Sequence, residues 1–239
     1  MQANSRSITS GQIGPHRHLS VRVARHAANT FLKPITDYNR EAFERSIAVW
    51  QQAGAPPLIL DAGCGIGLST HHLALQFSDH FVIGIDQSAD RLARGVAWPA
   101  ATPTNLLLLR ADLVDYWRLL LQTGIRPARH YVLYPNPWPK IGHLARRWHA
   151  HPVFPTLIAL GGHFECRSNW AIYIDECAAA LSQLCGANVE GETFYPTMSM
   201  TPFENKYLLS GHRLWRCRVA LDVVSTTTNS PSTTRFAKI

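Results

Sequence analysis

The sequence predicts an α/β protein whose strands form a mostly parallel sheet with helices on both faces. Short apolar runs at 58–62, 81–86, 105–112, 130–134 and 162–168 are separated by stretches of helical spacing. Alternation of this length implies βαβ units. A glycine-rich turn, GCGIG at 63–67, follows the first run directly. Asp61 lies within the first run and Asp86 ends the second, and open parallel sheets bind ligands beyond the carboxyl ends of their strands.

The elements follow in order. Residues 1–39 read as a basic, partly flexible segment ahead of a domain spanning 40–224, because six Lys/Arg in residues 1–40 face Asp37 alone. REAFERSIAVWQQ (40–53) spaces Phe43, Ile47 and Trp50 along one helical face. LILDA (58–62) is a strand that turns through the glycines into the helix LSTHHLALQF. FVIGID (81–86) precedes the helix SADRLARGVAW, and NLLLLRAD (105–112) precedes LVDYWRLLLQTG. HYVLY (130–134) runs straight into a proline-rich stretch, while GHFECRS (162–168) leads into NWAIYIDECAAALSQL. HRLWRCRVALDVV (212–224) is a long late strand, and the Ser/Thr-rich tail 225–239, with no periodic apolar face, reads as disordered.

A chain of 239 residues is long enough for one well-buried domain. Neither an apolar stretch long enough to span a membrane nor an apolar signal-peptide region is present. Five scattered cysteines without a CxxC read as reduced thiols of a cytoplasmic protein. The formal charge of +7 is concentrated at the ends, leaving residues 41–224 balanced. Between Asp115 and Glu165 there is no acid, yet six Lys/Arg and five His. Such a segment suits a surface facing phosphates, or simply a solvated basic face. The irregular spacing of His143, His149 and His151 does not read as a metal site.

The strand ends supply the candidate cofactor residues. A carboxylate at Asp86 can take the two hydroxyls of a ribose, and Gly63 and Gly65 let backbone approach a ligand. NAD is the obvious rival, but its G-x-G-x-x-G fingerprint is broken here by leucine at 68. Asp61 instead suits a cofactor with a cationic amino group and no pyrophosphate, such as S-adenosylmethionine. Asp112, after the third strand, falls near the adenine, although an aspartate there is also a common helix cap.

YPNPWPK (134–140) places three prolines at alternate positions. Proline biases the preceding residue towards extended backbone, so Asn136 and Trp138 should be pinned extended and face one side. This stretch, with His143 and the pair Arg146–Arg147 after it, resembles the signature of the tRNA (guanine-N7)-methyltransferases. RSNWAIY (167–173) and TPFENKYLLSGHRLWR (201–216) resemble two further elements of that family. The resemblance implies a Rossmann-like, seven-stranded class I methyltransferase fold, S-adenosylmethionine as cofactor and tRNA as partner, with no obligate protein partner or membrane indicated. It also implies that Asn136 sits at the cofactor and the reacting base, and that Lys140, His143, Arg146, Arg147, Asn169, Thr201 and Glu204 face the RNA. Asn136 and Asn169 stand where the family has carboxylates.

Other readings of the same residues stay open. Asn136 could cap its own turn. Thr201-Pro202-Phe203-Glu204 is a well-formed capping box with proline at the first helical position. An asparagine beside prolines is also found where exocyclic amines of bases are methylated, and a non-catalytic homologue binding RNA and cofactor is the remaining alternative.

Overall fold

The structure, a computed structural model, describes residues 4–95 and 103–221. The tail 225–239, the last residues of the late strand and the end of the helix expected over 88–98 lie outside the described residues. Seven strands form one sheet in the order β3-β2-β1-β4-β5-β7-β6: β1 (Leu58–Ala62), β2 (Phe81–Asp86), β3 (Leu106–Arg110), β4 (Arg129–Leu133), β5 (Gly162–Ser168), β6 (Gly191–Phe194) and β7 (Leu214–Leu221). All neighbours through β5 pair in parallel, whereas β7 runs antiparallel to both β5 and β6.

The helices are α1 (Leu19–Ala27), α2 (Asp37–Gln52), α3 (Leu68–Gln76), α4 (Ala89–Ala93), α5 (Leu113–Thr123), α6 (Phe154–Ala159), α7 (Ala171–Cys185) and α8 (Pro202–Leu209). Two 3₁₀ turns, Ile141–Arg146 and Trp148–Ala150, follow the proline stretch. Strands β1 and β2 are buried along their whole length, as expected for central parallel strands covered on both faces. The cover is lopsided. Leu58, Leu60, Phe81, Ile83 and Phe164 share a large core with α1, α2, α5, α6 and α7. On the other face Ile59, Val82, Tyr131 and Leu133 meet chiefly Leu73 and Ala74 of α3, with Met200. Gly84 makes that α3 contact possible, since a Cβ there would stand 2.2 Å from Thr70 Oγ1.

The division expected at residue 40 cuts through α2, which begins at Asp37. Residues 4–39 also dock on the domain: Leu19 and Val23 of α1 are buried, and α1 lies against α7. No helix among the described residues is long and apolar enough to cross a membrane. The described cysteines are all free, and no cluster of three or more His, Cys, Asp or Glu able to hold a metal occurs among the described residues.

Candidate active site

The carboxyl ends of β1 and β2 carry the glycine turn. Gly63 and Cys64 donate their N–H groups to Ile85 O at 2.8 and 3.0 Å, clamping the turn to β2. Gly63 and Gly65 have φ values of 81° and 61°, a left-handed region that costs an L side chain roughly 1–2 kcal/mol. A Cβ at either would meet nothing within 4 Å, so the space above the turn is open.

Asp61 is buried at 1% exposure. Its Oδ2 accepts from the hydroxyls of Ser69 (2.6 Å) and Thr70 (2.7 Å), while Oδ1 has no partner among the described residues. Burial pushes the carboxyl up to about 6, against the pull of the two hydroxyls. A buried oxygen left without a donor is costly, and a cationic group would satisfy it. Asp86 Oδ2 accepts from Gly65 N (3.0 Å) and Arg91 Nη1 (3.1 Å), and Oδ1 from Ser88 N (2.8 Å). Arg91 is the half-exposed partner, so hydroxyls approaching from outside could take its place. These residues fit S-adenosylmethionine: an orphaned anionic oxygen, a ribose-competent carboxylate and an open glycine cradle. Asp112 is a helix cap, accepting from Val114 N at 2.8 Å, with Lys33 3.6 Å from its other oxygen.

The proline loop leaves β4, which pairs with β1, and so shares the crevice edge with the glycine turn. Tyr134 N donates to Arg167 O at 2.9 Å, which fixes the loop's start to β5. Trp138 is not extended as expected. Its φ is 46°, and Tyr134 at the start of the loop has 52°, values unusual for aromatic residues. Asn136 is exposed, and its Oδ1 accepts from Trp138 N at 3.2 Å. The turn-forming alternative for Asn136 is therefore present in the structure: this bond bends the chain where proline alone would have left it straight.

Trp138 is packed from two sides. The Arg146 guanidinium lies 4.7 Å from its ring centroid and His143 meets the ring edge-on at 5.6 Å. Burial, then the cations Arg146 and Lys140, lower His143 from its ordinary value. Lys140 and Arg146 are exposed.

The remaining predicted substrate residues are differently placed. Arg147 does not face solvent: it has no exposure, and its Nη1 donates to Glu176 Oε2 at 2.5 Å. A buried guanidinium must find an anion or carbonyls, and Arg147 has both, so the expected phosphate contact is corrected to a structural one. Glu204 is fully buried. Its Oε1 accepts from Tyr134 Oη (2.7 Å) and Arg167 Nη1 (3.0 Å), and its Oε2 from Met200 N (2.5 Å). Thr201 Oγ1 accepts from Glu204 N at 3.0 Å, so the pair caps α8. Asn169 Nδ2 lies 3.1 Å from His212 Nδ1.

The acid-free segment does not form one basic face either. Arg118 pairs with Asp115, His130 and His149 are buried, and Arg126 and Arg129 lie at the entry of β4, the opposite end of the sheet from the crevice. Residues that sequence reasoning passed over include Tyr134, Arg167 and Glu176. The signal for Glu176 was available: with Tyr173, Cys177 and Ala180 it lies on the apolar face of α7, and an acid there requires a buried cation.

Comparison with known proteins identifies the family and the fold. A family model described as "Putative methyltransferase" matches residues 55–217. The tRNA (guanine-N(7)-)-methyltransferase of Paracidovorax citrulli is 30% identical over 175 residues, covering 67% of each chain. That of Bordetella pertussis is 27% identical over 204 residues, covering 76% of this chain and 79% of its own. Two solved structures share the fold: an antibiotic-related methyltransferase (TM-score 0.50, 14% identity, 82% of this chain and 98% of that one) and the 16S rRNA methyltransferase KamB (TM-score 0.50, 18% identity, 80% and 95%). With a class I methyltransferase sheet, a glycine turn and a proline loop meeting at one crevice, and these relatives, the chain belongs to the tRNA (guanine-N7)-methyltransferase family, as a divergent member.

Proposed function

We propose that this protein transfers a methyl group from S-adenosylmethionine to N7 of a guanine in tRNA, in the cytoplasm. The observation that carries the reading is the meeting of the Asp61–Gly65 turn and the Tyr134–Lys140 loop at the ends of adjacent strands β1 and β4. The cofactor, when bound, supplies an electrophilic methyl on a sulfonium. Asp61 would orient the amino-acid end, Asp86 the ribose, and Gly63 and Gly65 would line the cleft. A guanine N7 lone pair is already nucleophilic, so no side chain has to remove a proton, and the protein's task is alignment. Asn136 would face the base, and its amide oxygen is the acceptor that a developing cation can use. Lys140 and Arg146 would form the exposed basic margin for RNA phosphates, with half-buried His143 beside them as a hydrogen-bonding group and Asn169 at the end of β5.

The test is nucleoside analysis of tRNA after incubation with labelled cofactor. Formation of 7-methylguanosine is expected. Asn136→Asp keeps the turn-forming acceptor and adds charge where the product cation forms, so the rate should be kept or raised. Asn136→Ala removes both acceptor and turn and should slow transfer at least about tenfold, equivalent to roughly 1.4 kcal/mol. Label in methyladenosine or methylcytidine, or none in RNA, overturns the reading.

A further inference from the structure

Behind the proline loop lies a buried polar node for which alignment of the base by Asn136 gives no reason. Glu176 on α7 has no exposure, yet its carboxylate accepts from four donors. Oε1 takes Gln12 Nε2 at 2.6 Å and the His16 N–H at 2.8 Å. Oε2 takes Arg147 Nη1 at 2.5 Å and lies 2.9 Å from His149 Nε2. Although burial alone would raise it, His149 and Arg147 hold this carboxyl at about 2. Arg147 passes the grip on to the loop. Its Nε and Nη2 donate to Trp138 O at 3.3 and 3.1 Å, and Nη2 also reaches Lys140 O at 3.5 Å and Gln12 Oε1 at 3.0 Å. Between those two carbonyls, Pro139 O accepts from Ser10 Oγ at 2.6 Å. Three consecutive loop carbonyls are thus tied down, two by Arg147 and one by the N-terminal segment.

That segment is anchored again further back. Ser5 N donates to Ser210 Oγ at 3.0 Å, and His212 Nε2 lies 2.9 Å from Ser5 O. His212 is the same ring that meets Asn169. Residues 5–16 therefore run as a strap between the end of α8 and the back of the proline loop. Stability alone is a poor reason for such a node, since a buried ion pair often contributes little net against apolar packing. Geometry is a better one. Trp138 holds a left-handed backbone, and a strained residue persists only where its surroundings over-determine it.

We propose that Arg147, Glu176 and the strap residues Ser10 and Gln12 are positioning residues that hold the Trp138–Lys140 backbone in the shape presented to the substrate base. This rests on the reading of the loop as the methyl-transfer site. It makes the N-terminal segment part of the active-site architecture as well as a carrier of basic charge.

The test uses the full chain carrying Ser10→Ala and Gln12→Ala together, two partly exposed positions whose loss leaves the domain core intact. Hydrogen exchange is followed in peptides from 134–147 and, as reference, in β1 and β2. Exchange in the loop should quicken by about tenfold or more while the strands stay unchanged. In tRNA methylation, kcat should fall about tenfold with KM for S-adenosylmethionine moving less than about twofold. Glu176→Gln, which keeps the shape and removes the charge, should reproduce the fall in kcat with little change in KM; because it also leaves buried Arg147 without its anion, the exchange comparison is made on the Ser10/Gln12 variant. Unchanged loop exchange, loop and strands quickening together, or a loosened loop with unaltered kcat each overturn the proposal. A native protein that methylates nothing would end the functional reading, while the exchange data would still decide whether the strap holds the loop.

Discussion

At Arg146 and Arg147 the chain sets two neighbouring cations in unlike surroundings, one exposed over the Trp138 ring, the other without exposure against Glu176. Arg146→Ala should leave stability within about 0.5 kcal/mol, as surface changes do, and weaken tRNA binding. Arg147→Ala strips a buried carboxylate of its partner and should cost about 3–5 kcal/mol; urea unfolding of both variants separates them, and equal stability would return Arg147 to the RNA surface. Asp61 yields a prediction in pH. Its folded value of about 6 exceeds the ordinary 3.8, so between those values the folded chain holds the proton more tightly than the unfolded one. Its contribution to stability therefore declines as pH rises through that window, with the full cost of about 3 kcal/mol reached above it. A cationic amino group beside Oδ1 would favour the charged form. Cofactor affinity should then fall as pH drops below about 6, at most tenfold per unit, and Asp61→Asn should abolish the step. Calorimetry between pH 5 and 8 checks this, and a flat native profile would remove Asp61 as the cation's partner.

Among the elements, α8 shows how far local chemistry can be read from sequence. Its capping box is visible in Thr201-Pro202-Phe203-Glu204, and Thr201 does cap Glu204 N. Glu204 departs from the pattern by reaching past the cap to Met200 N, while also holding Tyr134 and Arg167. Thr201→Ala should accordingly cost about 1 kcal/mol, whereas Glu204→Ala, leaving Tyr134 Oη and Met200 N without their acceptor and Arg167 with Glu165 alone, should cost about 2 kcal/mol or more. Thermal unfolding distinguishes them, and equal small losses would mean that Glu204 is only a cap residue. Strands β1, β2 and β5 were legible to the residue because their apolar runs end at turn chemistry that depends on neighbours in sequence. The short β6, GETF, was not: two of its four side chains are exposed, and its pairing with β7 brings no apolar run to notice. α1 escaped for a related reason. Its buried residues, Leu19 and Val23, sit in a stretch dominated by basic side chains. The proline loop was half legible: its place after β4 followed from the sequence, but its bend depends on the Asn136–Trp138 bond and on Arg147, whose partner Glu176 lies 29 residues away.

For the whole molecule, the surplus of positive charge and the way the strap is bound set the behaviour towards RNA. The formal charge is +7, and on or next to α1 Arg17 and Arg25 are exposed and Arg22 is half-buried, while Leu19 and Val23 hold that helix to the domain. A rigidly docked basic helix can neutralise phosphates without the ordering cost that a free arm would bring. tRNA affinity should therefore fall linearly with salt on logarithmic axes. Deleting residues 1–25 is a poor probe of that term, because it also removes the Ser10 and Gln12 contacts to the loop. Exchanging Arg17, Arg22 and Arg25 for glutamine removes charge and leaves the strap in place. If each contacts one phosphate, the slope should become shallower by about 2–3, at roughly 0.7–0.9 per contact. Affinity for S-adenosylmethionine should not change, since these side chains lie outside the Asp61–Asp86 crevice. Filter binding across a salt series measures the slope. A triple variant with the native slope would show that RNA passes α1 by and is held elsewhere, with Lys140 and Arg146 then the residues to exchange next.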